Sequence, residues 1–405
     1  MKIFLTALLV LVCLANVACA QPTRKLSAGV NEFCWKFFDT LDINDNTVFS
    51  PYGIHAALSM LANGATGDTQ AEILRVLNFD DVTALNSAHK NFYATTKANY
   101  RDENVFRSTN LLPVNKQAAA RGLNENFRRV VTGDYLSDVR IFDFAGNIDR
   151  ERQKLARFVA EKTSGMIQDY QPLVDANTQA ELFNVVYFKG AWQFPFDERS
   201  TDTADFTNYD GTTSQVFMMS ATFNEEIAYF ADDKFCGIKL PYTSGAAMFV
   251  IMPVDENSLH ATELWSNETV EYRESFLDAL TKSPPFDGKV SVRLPKIMFD
   301  HENFIVRNLM ALGMNNSFTG DAQFPNIVNG TQLKVGGVNH RAAIVVGEQG
   351  TQAAAVTEIS MLEGAAPNFN HPPQKVYFHA NRPYVFVIRD VASGVTLFAG
   401  AVNKF

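Results

Sequence analysis

An α+β fold with large β-sheets is expected for this chain, on three features of its sequence. Helical apolar spacing dominates the first part, and strand-like apolar runs dominate the second. No repeat, low-complexity tract or Pro/Gly/Ser linker divides the two. The 405 residues are 46% hydrophobic and 20% charged, enough apolar material for a large core.

Taken in order, the chain opens with Met1-Lys2, the apolar run IFLTALLVLVCLANV and the triplet Ala18-Cys19-Ala20. A short apolar run before a small-x-small triplet is the pattern of a signal peptide, here 1–20. A secreted, extracellular mature chain, one domain over 21–405, is therefore expected. No later apolar run reaches the length of a membrane span. EFCWKFFDTL carries helical spacing, and Ser50-Pro51 opens a second helix through YGIHAALSMLANGATG. NIDRERQKLARFVAEKTSG reads as another, stopping at Gly165. Strand readings follow at AELFNVVYFKGAW, FCGIKLPY, AAMFVIMP, KVSVRLPKIMFD, AAIVVGE, YVFVIRD and VTLFAGAV. The continuous runs among them should be central strands covered on both faces. On this reading the first half is mainly helical.

Charge and chemistry-bearing residues narrow the function. With 35 basic and 44 acidic residues the formal charge is −9, and it becomes −10 once Lys2 leaves with the leader. An acidic chain without a basic cluster argues against nucleic acid and heparin-type polysaccharide as partners. Cys13 and Cys19 fall in the leader, so only Cys34 and Cys236 remain, as buried thiols or as a single bridge. The seven histidines show no paired metal-ligand spacing, and there is no G-x-S-x-G elbow, H-E-x-x-H pair or P-loop. No metal or cofactor is expected. Hydrolase triads assemble from distant positions and carrier pockets leave little trace, so both remain open here. Asn267, Asn315 and Asn329 begin N-x-S/T tripeptides, consistent with a secreted glycoprotein.

The segment VVGEQGTQAAAVTEISMLEG, 345 to 364, has strand quality where its flanks suggest an exposed loop. From Thr351 it alternates. One face carries Thr351, Ala353, Ala355, Thr357, Ile359 and Met361, small and then apolar, suited to a sheet interior. The other carries Gln352, Ala354, Val356, Glu358, Ser360 and Leu362. Gly350 removes side-chain bulk where the chain must bend.

GEQGTQAAAVT resembles the reactive-loop hinge of the serpins, and further segments resemble that family in the same order. NVVYFKGAWQFPFD (184–197) is similar to the family's strand and breach segment, usually N-x-x-x-F-K-G-x-W. VFSPYGIHAALSMLANGATGDT (48–69) resembles the shutter helix, and FHANRPYVFVIRD (378–390) the C-terminal signature. The resemblance covers essentially the whole mature chain. It implies the serpin fold: three β-sheets, about nine helices and an exposed reactive-centre loop, here about 348–375. Tyr384 stands where the signature usually has Phe, adding a hydroxyl that needs a partner. Gly53 stands where many members have serine, and Gln352 and Val356 depart from the usual hinge.

The resemblance further implies an inhibitor rather than an enzyme, a monomer whose partner is a serine protease held as a covalent acyl complex. The cut loop then enters the main sheet as a new strand. About fourteen residues at roughly 3.3 Å each would carry the protease about 45 Å. By motif, the shutter and breach comprise Ser50, Asn184, Lys189, Trp192 and His340. The hinge comprises Glu348, Gly350, Thr351, Ala353, Ala354 and Ala355. Counting from the hinge places the reactive bond at Gly364-Ala365, with Leu362 as an alternative. Counting back from Pro383 places it near Phe369. No Lys or Arg lies between Glu348 and Gln374, so elastase- or chymotrypsin-like targets are expected rather than trypsin-like ones. Non-inhibitory roles as carrier, storage protein or chaperone, and inhibition of cysteine proteases, are the alternatives.

Overall fold

A computed structural model describes residues 23–97, 99–101, 104–168, 170–330, 333–351 and 374–405. The expected leader, 1–20, lies outside them. The described chain begins with helix α1 (23–38). There follow β1 (Thr47–Phe49), α2 (Pro51–Gly64), α3 (Gly67–Val76), α4 (Val82–Thr96), β2 (Val105–Asn115) and α5 (Glu125–Asp134). Then come β3 (Asp138–Phe142), α6 (Ile148–Lys162), β4 (Ala180–Ala191), β5 (Asp202–Thr207), β6 (Thr213–Asn224) and β7 (Ala228–Ala231). β8 (Phe235–Pro241) and β9 (Ala246–Pro253) precede α7 (Ala261–Ser266) and α8 (Val270–Lys282). β10 (Lys289–Pro295), β11 (Ile297–Phe304), α9 (Val306–Ala311) and β12 (Val335–Gly347) lead to β13 (Gly350–Thr351). β14 (Lys375–His379), β15 (Tyr384–Asp390) and β16 (Thr396–Val402) complete the chain.

The strands form three sheets, ordered β11-β12-β13-β4-β2-β3, β1-β16-β15-β9-β8-β7 and β14-β10-β6-β5. The expected α+β fold with three sheets and nine helices is thus present among the described residues. α2 starts where expected, with Ser50 accepting from the Gly53 amide at 3.0 Å and Pro51 in the first turn. Every residue of α2 except Asn63 is buried, because the helix packs against both β4 of the first sheet and β16 of the second. On the opposite face of the first sheet a smaller apolar cluster joins Phe158 and Val159 of α6 to Leu111, Phe183, Val185 and Ala343. The first sheet is therefore covered on both sides.

The first half is mainly helical, as expected, and holds six of the nine helices among the described residues, but β2 and β3 within it are strands of the first sheet. β2 escaped notice because Arg107, Ser108, Thr109 and Asn110 interrupt its apolar pattern, and Asn110 serves a buried polar chain described below. The cysteines are not bridged. Cys34 is buried, its thiol pKa pushed up by desolvation, while Cys236 is only half-buried. Among the described residues the added hydroxyl of Tyr384 finds no hydrogen-bond partner, although the residue is fully buried. Tyr384→Phe should therefore raise the unfolding free energy by about 1 kcal/mol, read as a higher urea midpoint.

The fold also pairs two histidines that sequence spacing kept apart. His55 of α2 and His89 of α4 are buried, with His55 Nδ1 3.0 Å from His89 Nε2. His55 Nε2 faces the Leu77 carbonyl at 3.1 Å and must donate to it, so its Nδ1 accepts from His89. His89 Nδ1 is then an unprotonated, unpartnered atom. Burial lowers the His55 pKa from 6.5 to about 4 and holds His89 well below its ordinary value. Both rings stay neutral in the fold but charge in the unfolded chain below pH 6.5, so stability falls as pH drops from 6.5 towards 4. His55 alone accounts for about 3 kcal/mol of that loss. Urea midpoints measured from pH 7 to 4.5 should fall steeply, and less so in a His89→Gln variant.

Candidate functional site

β12 and β4 are parallel neighbours from Val335↔Ala180 up to Ala343↔Tyr187. Across the middle of this seam runs a chain of buried hydrogen bonds. The Ser50 amide donates to His340 Nε2 at 2.9 Å, which fixes the tautomer and makes His340 Nδ1 the donor to Asn184 Oδ1 at 2.6 Å. Asn184 Nδ2 donates to Asn110 Oδ1 at 2.6 Å, and Asn110 Nδ2 to Ser137 Oγ at 2.9 Å. Ser50 Oγ donates to the Leu397 carbonyl at 2.6 Å, tying the same chain to the second sheet. Ser50, Asn184 and His340 thus come together as expected. Asn110 and Ser137 complete the chain and were not found from sequence.

Gly53 lies beside it. A Cβ there would stand 2.4 Å from Val186 Cγ2 and 2.7 Å from Asn184 Oδ1, so glycine lets α2 approach the seam. Any side chain at 53 would have to displace the atoms that hold the seam together.

Above Ala343 the seam forks. β12 ends at Gly347, turns through Glu348-Gln349, and returns as β13 between β12 and β4. Thr351 pairs with Val346 on one side and Gly190 on the other, antiparallel to both. The turn is held by three successive carbonyls. Gly347 O accepts from Trp192 Nε1 at 2.9 Å, Gln349 O from the Trp192 amide at 3.0 Å, and Glu348 O from the Phe196 amide at 2.9 Å. Gly350 adopts φ 148°, and a Cβ on it would stand 2.1 Å from the Gly190 carbonyl oxygen, so only glycine fits. Trp192 stacks on Tyr242 with centroids 4.3 Å apart.

The Glu348 carboxylate accepts from Thr201 Oγ1 at 2.8 Å and pairs with Lys296 at 2.9 Å. Burial pushes its pKa up, but the bonds from Lys296 and Thr201 outweigh this and hold it below the ordinary carboxylate range. Lys189, expected at the breach, lies on β4, the strand that borders the fork, next to Gly190 and opposite Val105 of β2. Lys296 is the cation of the site. Together with Thr201 and Tyr242 it was missed because each comes from a segment whose local sequence shows no pattern. Ala353, Ala354, Ala355, Leu362, Gly364, Ala365 and Phe369 lie outside the described residues.

Among the described residues, the fork holds the short strand Gly350–Thr351, paired on both sides. Lys296→Met leaves the buried Glu348 carboxylate without its cation. It should lower the unfolding free energy by about 1–3 kcal/mol, read as a lower urea midpoint.

Comparison with known proteins agrees with this geometry. Residues 28–405 match the family model described as Serpin (serine protease inhibitor). The chain is 28% identical over 400 residues to Iripin-1 of Ixodes ricinus, covering 96% of this chain and 97% of that one. Among solved structures it is similar to tengpin, a thermophilic serpin in its native state, with TM-score 0.81, 22% identity and 93% of each chain covered. It is also similar to thyroxine-binding globulin complexed with thyroxine, with TM-score 0.80, 24% identity, and 94% and 99% coverage. With the family model matched over nearly its whole length, this chain belongs to the serpin family.

Proposed function

We propose that the protein is a secreted suicide-substrate inhibitor of serine endopeptidases with elastase- or chymotrypsin-like preference. The observation that carries this reading is the forked seam, with Gly350-Thr351 already seated between β12 and β4. Continuing that register predicts the inserted strand. Thr357, six residues beyond Thr351, would meet His340 and Asn184, which lie six positions below Val346 and Gly190. Its hydroxyl would arrive where the polar chain must open. The same register brings Leu362 opposite Val335 and Met361 opposite Ala180, the lower ends of the seam.

Two consequences support the reading. The inward row is Thr351, Ala353, Ala355, Thr357, Ile359 and Met361, none of them charged. Insertion also exchanges one parallel ladder for two antiparallel ones. At about 0.5–1.5 kcal/mol per added hydrogen bond the gain is roughly 10 kcal/mol before side-chain packing. The seam is filled by 362, which favours the hinge-based bond Gly364-Ala365 over Phe369, since a much longer segment would leave slack. A scissile bond in this apolar stretch suits a small or apolar primary pocket.

Secretion rests on the 1–20 leader. Asn267, Asn315 and Asn329 are all exposed, which suits glycosylation. Asn267 is the best placed, because the Asn329 amide is engaged with the Arg121 and Leu123 carbonyls.

Incubation of the mature protein with pancreatic elastase or chymotrypsin should give an SDS-stable complex and release a C-terminal peptide beginning at Ala365. Cleavage without complex would favour a non-inhibitory role. Thr351→Arg should abolish complex formation and leave a substrate. Protein nicked in the loop should melt well above the intact form, and coincident melting curves would overturn the proposal.

A further inference from the structure

The hinge is gripped from outside its own sheet. Tyr242 follows β8 in the second sheet and forms an isolated bridge with Trp192. Its ring takes the space left by a missing side chain: a Cβ on Gly190 would stand 2.9 Å from Tyr242 Cδ1. Gly190 is the cross-strand partner of Thr351, and the Tyr242 hydroxyl lies 2.5 Å from Thr351 Oγ1. Both residues are buried, at 2% and 0% exposure. Each hydroxyl has the other as its sole hydrogen-bond partner among the described residues. Trp192 closes the other face of the ring and also binds the hinge turn through the Gly347 carbonyl.

We propose that Tyr242 is a positioning residue for loop insertion, its hydroxyl latching Thr351 in the fork so that the new strand is nucleated before any protease arrives. The inference rests on the inhibitory reading and adds a specific residue to it. The first residue of an added strand bears the ordering cost with the fewest ladder bonds to offset it. A buried hydroxyl pair at that position weights the seated hinge by on the order of tenfold over a withdrawn one. After acylation, insertion competes with hydrolysis. A seated first residue shortens insertion without altering the loop's scissile region. Desolvation pushes the Tyr242 phenol pKa up, so the hydroxyl stays protonated and able to donate across the physiological range.

Tyr242→Phe keeps the ring, and with it the Trp192 stack, while orphaning the Thr351 hydroxyl. Its stoichiometry of inhibition against elastase or chymotrypsin should rise several-fold, whereas the rate of initial loop cleavage should not fall. Thr351→Ser should behave as wild type because it retains the hydroxyl. The double variant Tyr242→Phe/Thr351→Val removes both hydroxyls and leaves no orphan. Its stoichiometry should be no higher than that of the worse single variant, and folding is checked by Trp192 fluorescence. If wild type forms the stable complex but Tyr242→Phe inhibits with unchanged stoichiometry, the latch is wrong and the inhibitory reading stands. Additive effects of the two substitutions would likewise overturn it. If wild type forms no complex, the inhibitory reading fails and the latch falls with it.

Discussion

The seam between β12 and β4 is a parallel ladder of eight paired positions in the middle of a six-stranded sheet, and its upper end is held apart by two residues of a third strand. A parallel pair is slightly weaker per residue than an antiparallel one. The segment that could replace it with two antiparallel ladders is covalently continuous with β12 through a two-residue turn. On the proposed mechanism, the tether of that segment to Thr351 at one end and β14 at the other is what keeps the sheet closed and stores free energy.

A weak seam still needs to stay shut, and a buried polar chain does this. The bonds from Ser50 through His340, Asn184 and Asn110 to Ser137 cross three strands and the start of α2. Each member satisfies its neighbour, so opening the seam at His340 would strand several buried polar atoms at once. On the proposed mechanism the barrier falls when an incoming hydroxyl takes over the broken bonds, so that the polar chain is a lock set at mid-seam and the fork above it the entry. The two are separated by the ladder positions between Ala343 and His340, which makes opening stepwise.

Close approach without side chains is what lets the parts meet. Gly53 brings α2 against Val186 and Asn184, Gly190 admits the Tyr242 ring, and Gly350 admits the hinge against the Gly190 carbonyl. At each point a methyl group would collide with backbone or with a packed side chain. The fork and the seam are therefore tightly packed at the places where the proposed insertion would have to move them.

Much of this was legible in the sequence because it depends on local pattern. The alternation from Thr351, the Ser50-Pro51 helix start and the continuous apolar strands each reflect a periodicity of 2 or 3.6 that any window of the chain displays. The motif resemblance singled out Asn184, His340, Trp192 and Glu348, and the structure shows their contacts. What no window displays is which distant groups share one volume. Lys296 belongs with Glu348, Asn110 hides β2 inside a polar run, and Tyr242 reaches Thr351 from another sheet. The pairing of His55 with His89 is of the same kind. The amino-acid order by itself determined most of the elements, since those follow from backbone periodicity. Only the tertiary structure decided the lock, the anchor and the latch, because hydrogen bonds and ion pairs form between atoms a few ångströms apart in space, wherever they lie along the chain.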